Sequence, residues 1–310
     1  MANPIMGCQA HIGVKEEVTE GTAVTVDALL ELISGDIALV ETDLHGNGMI
    51  GSRSVWSART RANTRRVSGT INLQPNAAEL ALLLPWILGA DASGTTYALA
   101  ETLQPFTVTI GKDNGTDGKV PTYNGCRINK AVISAEQGGP LALQLEIEGR
   151  DEALGNAGTF PSLTLNTATG PFLFSDSSGA ITVGGTAFPV KRFSITIDNQ
   201  LDTERFTNST TRTALPTKGR TISVELSGPY GGKEALYPTA ATLAAGIAVV
   251  ATFTNTVNSV SIAITCPKVH FPRRTPPWNG REEIDLPLTG MARASAAVND
   301  ECVVTLDSTP

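Results

Sequence analysis

The sequence predicts an all-β fold with a minor helical part. Several segments alternate apolar and polar residues with a period of two, which is typical of strands that have one face on a core. The 30 Gly and 18 Pro supply turns between short strands, and 41% hydrophobic residues suffice for a core. These observations predict a β-sandwich or a barrel, and they exclude a helical bundle and a disordered chain.

Seven amphipathic strands can be placed along the chain, three in its first half and four in its second. In each strand one apolar face is expected to point into a core. The inward residues of the first half are Val67, Gly69, Ile71, Leu73, Phe106, Val108, Ile110, Leu141, Leu143, Leu145 and Ile147. Those of the second half are Phe193, Ile195, Ile197, Ile222, Val224, Leu226, Val260, Ile262, Ile264, Ile284, Leu286 and Leu288.

Two helices are predicted between these strands. Asn76 to about Leu84 begins with a capping box, in which Asn76 and Glu79 satisfy each other's backbone donors, and Pro85 is expected to limit its length. Lys233 to about Leu243 shows weaker helical patterning. In both halves the helix follows one strand and precedes three others, so the order of elements occurs twice.

The repeated order indicates a tandem duplication, with two unrelated β halves as the alternative. Aligning Gly149 with Gly290 keeps the apolar faces of the two halves in register, and Cys126 then falls close to Cys266. Aligning Arg66 with Arg220 instead sets the inward face of one strand against the outward face of the other.

The duplication divides the chain into four expected regions. A Gly-, Ser- and Thr-rich stretch from Phe160 to Ala187 marks the junction between the halves. The regions are an N-terminal arm (1–32), a first β domain (33–158), a linker with junction strands (159–187) and a second β domain (188–310).

Two long segments lack apolar alternation, Asp43 to Thr64 and Asn199 to Lys218. Each precedes the strand that leads into a helix. Loops of this length are usually functional or disordered, and large apolar groups in them favour docking on another surface. The residues expected to contact neighbouring subunits or rings are His45, Met49, Ile50, Trp56, Arg59, Phe206 and Leu215.

The remaining motifs do not indicate a catalytic or ligand site. Gly46 to Gly51 matches a dinucleotide fingerprint, but no capped helix follows it, which favours a flexible loop. Asp113 to Gly118 resembles the start of a calcium loop, but its Asn-Gly and Asp-Gly pairs favour a hairpin turn. His11, near the unstructured start, His45, in a loop, and His270, on a strand, have no adjacent Ser or Cys nucleophile. We therefore expect no catalytic residue, metal or cofactor.

Charge and cysteine spacing bear on compartment and partners. The formal net charge of −7 argues against a chain that binds nucleic acid by neutralising phosphates. No secretory signal or membrane span is expected, so the chain is made in a cytoplasm. Cys8, Cys126, Cys266 and Cys302 show no metal-binding or redox spacing, and we expect them reduced, at separate core positions.

Four stretches together resemble one known family. The first half contains PFTVTIGKDNG and TYNGCRINKAVISAEQGGPLALQLEIEGRDE, and the second contains FPVKRFSITIDNQL and GRTISVELSGP. From Ile33 to Leu306 the chain resembles the major tail tube proteins of long-tailed bacteriophages.

The resemblance implies two tandem β-sandwich or split-barrel units, each with one flanking helix. Such proteins form stacked rings around a channel for DNA ejection, as components of the virion tail made in the host cytoplasm. Two units per chain would allow homotrimeric rings with pseudo-sixfold symmetry, whereas an outer decoration in the second half would require homohexameric rings. The implied partners are the chain itself, the tape measure, the tail terminator and the distal tail protein, with no membrane.

Two strands carry polar groups opposite their apolar faces. These candidate lumen-facing residues are Gln144, Glu146, Glu148, Glu283 and Asp285. An acidic wall offers no phosphate clamp, so DNA would pass without specific binding. A solvated outer face is the alternative.

A second function class is a binding module, such as a capsid-decoration or carbohydrate-binding β-sandwich. Such a module should carry clustered Trp or Tyr beside carboxylates. The three Trp and four Tyr are widely scattered, and no pair of carboxylates indicates a glycosidase.

Overall fold

A computed structural model describes residues 4–46, 48, 53–54, 56–113, 116–165, 169–177, 181–233, 236, 245–278, 280–281 and 283–308. Within these residues the protein is mostly β. The elements of the first half are β1 (His11–Glu16), β2 (Ala28–Leu30), β3 (Ser34–Gly35), β4 (Ala38–His45), β5 (Thr60–Leu73), α1 (Ala77–Leu88), β6 (Thr96–Ala98), β7 (Phe106–Asp113), β8 (Gly118–Glu136), β9 (Leu141–Gly149) and β10 (Asp151–Asn156). Those of the second half are β11 (Ile181–Val183), β12 (Thr186–Ala187), β13 (Arg192–Asp198), β14 (Thr221–Pro229), β15 (Ile247–Asn255), β16 (Val260–His270), β17 (Asp285–Ala292) and β18 (Val303–Asp307). Short 3₁₀ helices lie at Gly7–Gln9, Ser57–Arg59 and Phe174–Ser177.

Strand β8 connects the different parts of the sheet. Its N-terminal part pairs antiparallel with β7 and β10, and its C-terminal part pairs antiparallel with β9 and β13. The change of partners falls near Gly125, whose positive φ of 57° suits a residue without a Cβ. The predicted hairpin turn between β7 and β8 is confirmed, since Asp113 and Gly118 face each other in the ladder.

One continuous run of strands joins the two halves of the chain. Its order is β4, β5, β9, the C-terminal part of β8, β13, β14 and β17. At the joint, β13 and β8 pair from Asp198 opposite Lys130 to Arg192 opposite Glu136. The two halves therefore share a backbone ladder.

The same pairing pattern occurs in both halves. The first strand set (β5, β9, β8 and β7) and the second strand set (β14, β17, β16 and β15) pair in the same order. Ile71 faces Leu145 in the first set, as Leu226 faces Leu288 in the second. This alignment keeps both apolar faces in register, and the shared pairing supports a duplication.

A bulge fixes the alignment of the two strand sets. Between Phe106 and Val108, β8 spans one residue more than β7, and β16 does so against β15 between Ile247 and Val249. The bulge makes Cys126 equivalent to Val269, because these two residues face Phe106 and Ile247.

The alignment of the two halves from sequence is therefore wrong by a few residues, both at the cysteines and at the glycines that it matched. Cys126 does not correspond to Cys266. Glu148 faces Arg127 as Met291 faces His270, so Gly149 corresponds to Ala292 and not to Gly290. Gly290 and Ala292 are both buried and lie two residues apart on one face of β17, so a period-two apolar pattern does not distinguish the two alignments.

Helix α1 packs on the core beside β7. The predicted capping box is present, since Asn76 Oδ1 accepts from the Glu79 backbone N–H at 3.0 Å and Glu79 Oε2 accepts from that of Asn76 at 3.0 Å. The helix runs past Pro85 to Leu88 and ends at Gly89, whose φ is 97°. The prediction that Pro85 limits the length of the helix is therefore wrong. Proline has no backbone N–H, so one hydrogen bond within the helix is missing at Pro85. Burial of the last turn offsets this loss, and Trp86 there stacks on Phe106 with ring centroids 4.5 Å apart.

The predicted inward faces form the core, with two exceptions. The predicted inward residues of β5, β7, β9, β13, β14 and β16 are buried apart from Gly69, which is half-buried, and Ile284 precedes β17 and is 40% exposed. Of the second predicted helix, only Lys233 and Leu236 lie within the described residues.

The first 32 residues contribute strands to the sheet. β1 pairs with β7 and β2, and Ile12, Val14 and Leu30 are buried. His11 begins β1, shortly after the 3₁₀ helix Gly7–Gln9. The described part of residues 1–32 is therefore integrated into the fold and does not form a free arm.

Candidate assembly surfaces

The second long segment, Asn199 to Lys218, packs on the first half of its own chain. Leu215 is fully buried and the side chain of Arg212 is 0% exposed. Arg212 Nη1 donates to Glu148 Oε2 at 2.6 Å and to the carbonyls of Val67 and Gly149 at 3.1 and 3.0 Å. One guanidinium therefore fastens this segment to both β5 and β9.

A second group of hydrogen bonds holds the segment Asn199 to Lys218 around Leu215. Arg127 Nη1 donates to the Leu215 carbonyl at 2.6 Å, while its Nη2 lies 2.9 Å from Glu20 Oε2. Glu20 Oε1 accepts from the Leu215 backbone N–H at 3.2 Å. The Arg65 backbone N–H also donates to the Thr210 carbonyl at 2.8 Å. Residues from three separate stretches of the first half thus bind this segment.

The docked segment covers one of the predicted lumen residues. The side chain of Glu148 is 12% exposed beneath Arg212. Burial raises the pKa of Glu148, while the Arg212 charge acts in the opposite direction. Glu148 therefore does not belong to an open acidic wall in this structure.

Of the other candidate lumen residues, Gln144, Glu283 and Asp285 are more exposed than Glu148, and Glu146 is half-buried. Gln144 is exposed, and Glu146 accepts from Asn129 Nδ2 at 3.0 Å. Glu283 and Asp285 both contact Lys191 Nζ, at 2.9 and 2.6 Å, so one lysine partly neutralises this pair of acids.

The two ends of the first long segment, Asp43 to Thr64, continue the ladder between β4 and β5, with Asp43 opposite Ala62 and His45 opposite Thr60. Leu44 and Trp56 are 62% and 64% exposed, and His45 and Arg59 are exposed as well. His45 Nδ1 lies 3.0 Å from Thr60 Oγ1, a contact inside the hairpin. Met49 and Ile50, with most of the fingerprint-like Gly46 to Gly51 stretch, lie outside the described residues.

The two segments therefore differ in how they bury their apolar groups. Leu215 is covered by its own chain and cannot be a direct contact with a neighbour in this conformation. Phe206 is half-buried. Trp56 has the exposure that a contact residue requires.

All four cysteines are free, and Cys8 is the exposed one. Burial raises the pKa of the Cys126 thiol. The thiols of Cys266 and Cys302 share a hydrogen bond, which raises the pKa of Cys302. The prediction of separate core positions is wrong for Cys8, which is exposed, and for the last pair, because β16 and β18 pair side by side.

The described residues also bear on metal binding and membrane insertion. No group of three or more His, Cys, Asp or Glu side chains there is placed to hold a metal ion. Among the helices that the structure describes, none has the length and apolar character to cross a membrane.

Within the residues that the structure describes, the continuous antiparallel sheet ends on an edge strand, β4, whose ladder is with β5, and an edge strand of this kind can pair with a further chain. The family described as phage tail tube protein matches residues 7–292. The chain belongs to this family and is a structural tail tube protein, a component of the virion tail. A search of the curated proteins finds no match.

Proposed function

We propose that the protein polymerises into stacked rings that form the tail tube, through which DNA passes during ejection. The observation that carries this proposal is the family match together with a sheet that runs through both strand sets and ends on an open strand. Light scattering at rising protein concentration and electron microscopy test it. A folded chain that stays monomeric, with or without the other tail proteins, contradicts it.

The shared strand pairing favours three chains per ring. Each chain presents two similar strand sets, so three copies supply six similar units around an axis. Six chains per ring is the alternative, if the second half lies outside the tube. The mass of isolated rings distinguishes the two arrangements, since it is three or six times 32.4 kDa.

The first long segment is the proposed contact with neighbouring subunits or rings. Its exposed Trp56 and Leu44 support this role, with His45 and Arg59 beside them. The proposal does not extend to Leu215, whose side chain is covered within the chain. Deleting His45 to Ser57 tests the role, since a folded variant with normal tube growth would contradict it.

A channel wall formed by Gln144, Glu146, Glu283 and Asp285 suits DNA that passes without specific binding. The net charge of −7 supports this, because lysine and arginine contacts to phosphates would retain the DNA. Glu146→Lys is the informative variant, since Glu148 is paired with the buried Arg212, whereas Glu146 accepts a hydrogen bond from the neutral Asn129. We expect normal rings and slower ejection at low salt.

The tape measure, the tail terminator and the distal tail protein are the proposed partners at the ends and in the lumen of the tube.

The domain boundaries at residues 158 and 187 also stay predictions. Limited proteolysis tests those boundaries, since cleavage should concentrate between them.

A further inference from the structure

Two of the buried cysteines lie opposite each other at the end of one ladder. Between β16 and β18, Thr265 faces Val303. One further step in the same register sets Cys266 opposite Cys302, the residue that precedes β18. Both side chains are buried, and the two thiols share a hydrogen bond. The two sulfur atoms therefore lie side by side in the core of the second half.

The spacing of an antiparallel ladder fits a disulfide between these two cysteines. Residues that face each other in such a ladder have Cα atoms about 4.5 or 5.5 Å apart, depending on the kind of pair. A disulfide joins residues whose Cα atoms lie about 4.4–6.8 Å apart. The bond between Cys266 and Cys302 can thus form without a rearrangement of the strands.

Such a bond would fasten the last strand that the structure describes. β18 has five residues and connects the two halves of the chain, since it pairs with β16 and with β6 of the first half. Segments near a chain end open easily unless other contacts fasten them. A covalent link from β18 to β16 would therefore also stabilise the contact between the two halves.

We propose that Cys266 and Cys302 are an oxidation site, reduced when the chain is made and closed to a cross-strand disulfide in the released virion. Disulfides are rare in a reducing cytoplasm, and they form and persist in oxidising environments such as the virion surface. Both thiols are free in this structure, which corresponds to the reduced state. The inference does not depend on ring formation, because the bond lies within one chain.

A small-molecule disulfide is the class of oxidant that this reaction needs. The thiolate of one cysteine attacks a sulfur of the reagent, forms a mixed disulfide and expels one thiolate. The thiolate of the other cysteine then attacks the protein sulfur of the mixed disulfide and expels the second thiolate. In total the two cysteines lose two protons and two electrons, and the reagent is reduced to two thiols.

The turn before Cys302 controls access to the pair. This turn is exposed, whereas Cys266 lies within β16, between β15 and β18. Arg220 fastens the turn, with its Nη2 2.7 Å from Asn299 Oδ1 and 3.3 Å from Glu301 Oε2. The hydrogen bond from Cys266 and burial raise the pKa of the Cys302 thiol, which slows its reaction. Cys302 therefore reacts first, when the contacts of Arg220 open.

Oxidation of the full chain tests the site. The protein carries Cys8→Ser, which removes the exposed thiol, and is incubated with bis(2-hydroxyethyl) disulfide, then unfolded and alkylated with iodoacetamide. Peptide mass spectrometry distinguishes linked from alkylated cysteines, and thermal unfolding without reductant measures stability. Cys266→Ala and Cys302→Ala are the matched controls, since each keeps one thiol of the pair. Unmodified chains from host cells and from released virions are alkylated on collection and compared in the same way.

We expect one linkage, between Cys266 and Cys302, with Cys126 alkylated. The midpoint of thermal unfolding should rise by about 4–8 °C, because the bond restricts the unfolded chain, and neither control should show this rise. Arg220→Ala should accelerate the linkage several-fold and give the same product. Chains from host cells should be reduced at this pair, and chains from released virions should be linked.

Three outcomes would overturn the proposal. Folded protein in which both thiols are still alkylated after long incubation shows that the site does not oxidise. A mixed disulfide that never gives the linkage, or a linkage that lowers the unfolding midpoint, shows that the strands do not fit the bond. Linkage in the purified protein together with free thiols in released virions removes the proposed role in the virion.

Discussion

The two long segments occupy the same position in the two strand sets, but only one of them is docked. The first connects β4 to β5 and the second connects β13 to β14, which are equivalent pairs of strands. Leu215 of the second is fully buried, whereas Trp56 of the first is 64% exposed. The same place in the fold therefore has a partner surface in one case and lacks it in the other.

Chain connectivity accounts for this difference. The second segment lies against the first half, which is always present because it belongs to the same chain, and Arg212 reaches β5 and β9 there. The equivalent surface for the first segment would belong to the second half of another copy. We infer that the first segment docks when chains assemble, and the following variants test this comparison from the largest expected effect on stability to the smallest.

Arg212→Ala should undo the docking of the second segment. The variant leaves the Glu148 carboxylate buried without its partner, and breaking such a pair lowers the free energy of unfolding by about 3–5 kcal/mol. Urea denaturation measures this change. Arg66→Ala is the matched control, because the Arg66–Glu204 pair is exposed and should contribute under about 1 kcal/mol. Equal losses for both variants would show that the buried guanidinium has no special role.

Leu215→Ala should also destabilise the docked second segment, in this case through lost packing. Truncating a fully buried leucine lowers the free energy of unfolding by about 2–5 kcal/mol, depending on how far the site collapses. The same urea experiment reports it, with the exposed Leu154→Ala as control at 59% exposure. A loss no larger than the control's would mean that the segment is only loosely docked.

Cys126 can report how far the docked segment opens. Its Sγ lies beneath Gly149, whose carbonyl accepts from Arg212, and burial raises the pKa of its thiol. At about pH 8 we expect Cys8 to react quickly with iodoacetamide and Cys126 slowly, because the thiolate is the reactive form.

The Arg212→Ala variant should accelerate the reaction of Cys126 several-fold and leave Cys302 unchanged. Cys302 lies on the β16–β18 side of the fold, remote from Arg212 in the ladder order, and serves as an internal control. Peptide mass spectrometry assigns each label. Parallel acceleration at both cysteines would indicate global unfolding and would contradict local opening of the segment.

Trp56→Ala should have the smallest effect on the isolated chain and a large effect on assembly. Replacing a mostly exposed side chain changes the free energy of unfolding by about 0.5 kcal/mol or less. If Trp56 docks on a neighbouring copy, the rate of tube growth, measured by light scattering, should fall strongly. Trp278→Ala is a useful comparison, since Trp278 is 85% exposed and lies outside the first segment. Normal growth of the Trp56 variant would remove the first segment from the contact.

Strand identity could be predicted because apolar alternation directly reflects which face of a strand is buried. The same alternation could not show β1, whose Ile12 and Val14 flank a glycine near the chain start. It also missed Arg212, since a cation in a polar segment is usually solvated and only the approach of Glu148 makes its burial possible. The proximity of Cys266 and Cys302 likewise depends on which strands become neighbours, and their spacing in the sequence carries no such information.

The sequence by itself determined the strands, the capped start of α1, the hairpin turn after β7 and the likeness between the two halves. These features depend on local dihedral preferences and on the periodicity of burial, both of which are written in consecutive residues. The tertiary structure alone decided that β13 joins β8 and that bulges set the alignment of the strand sets. It also decided that one long segment is docked while the other is exposed. Those outcomes depend on contacts between residues far apart in the chain, and many different pairings satisfy the same local pattern.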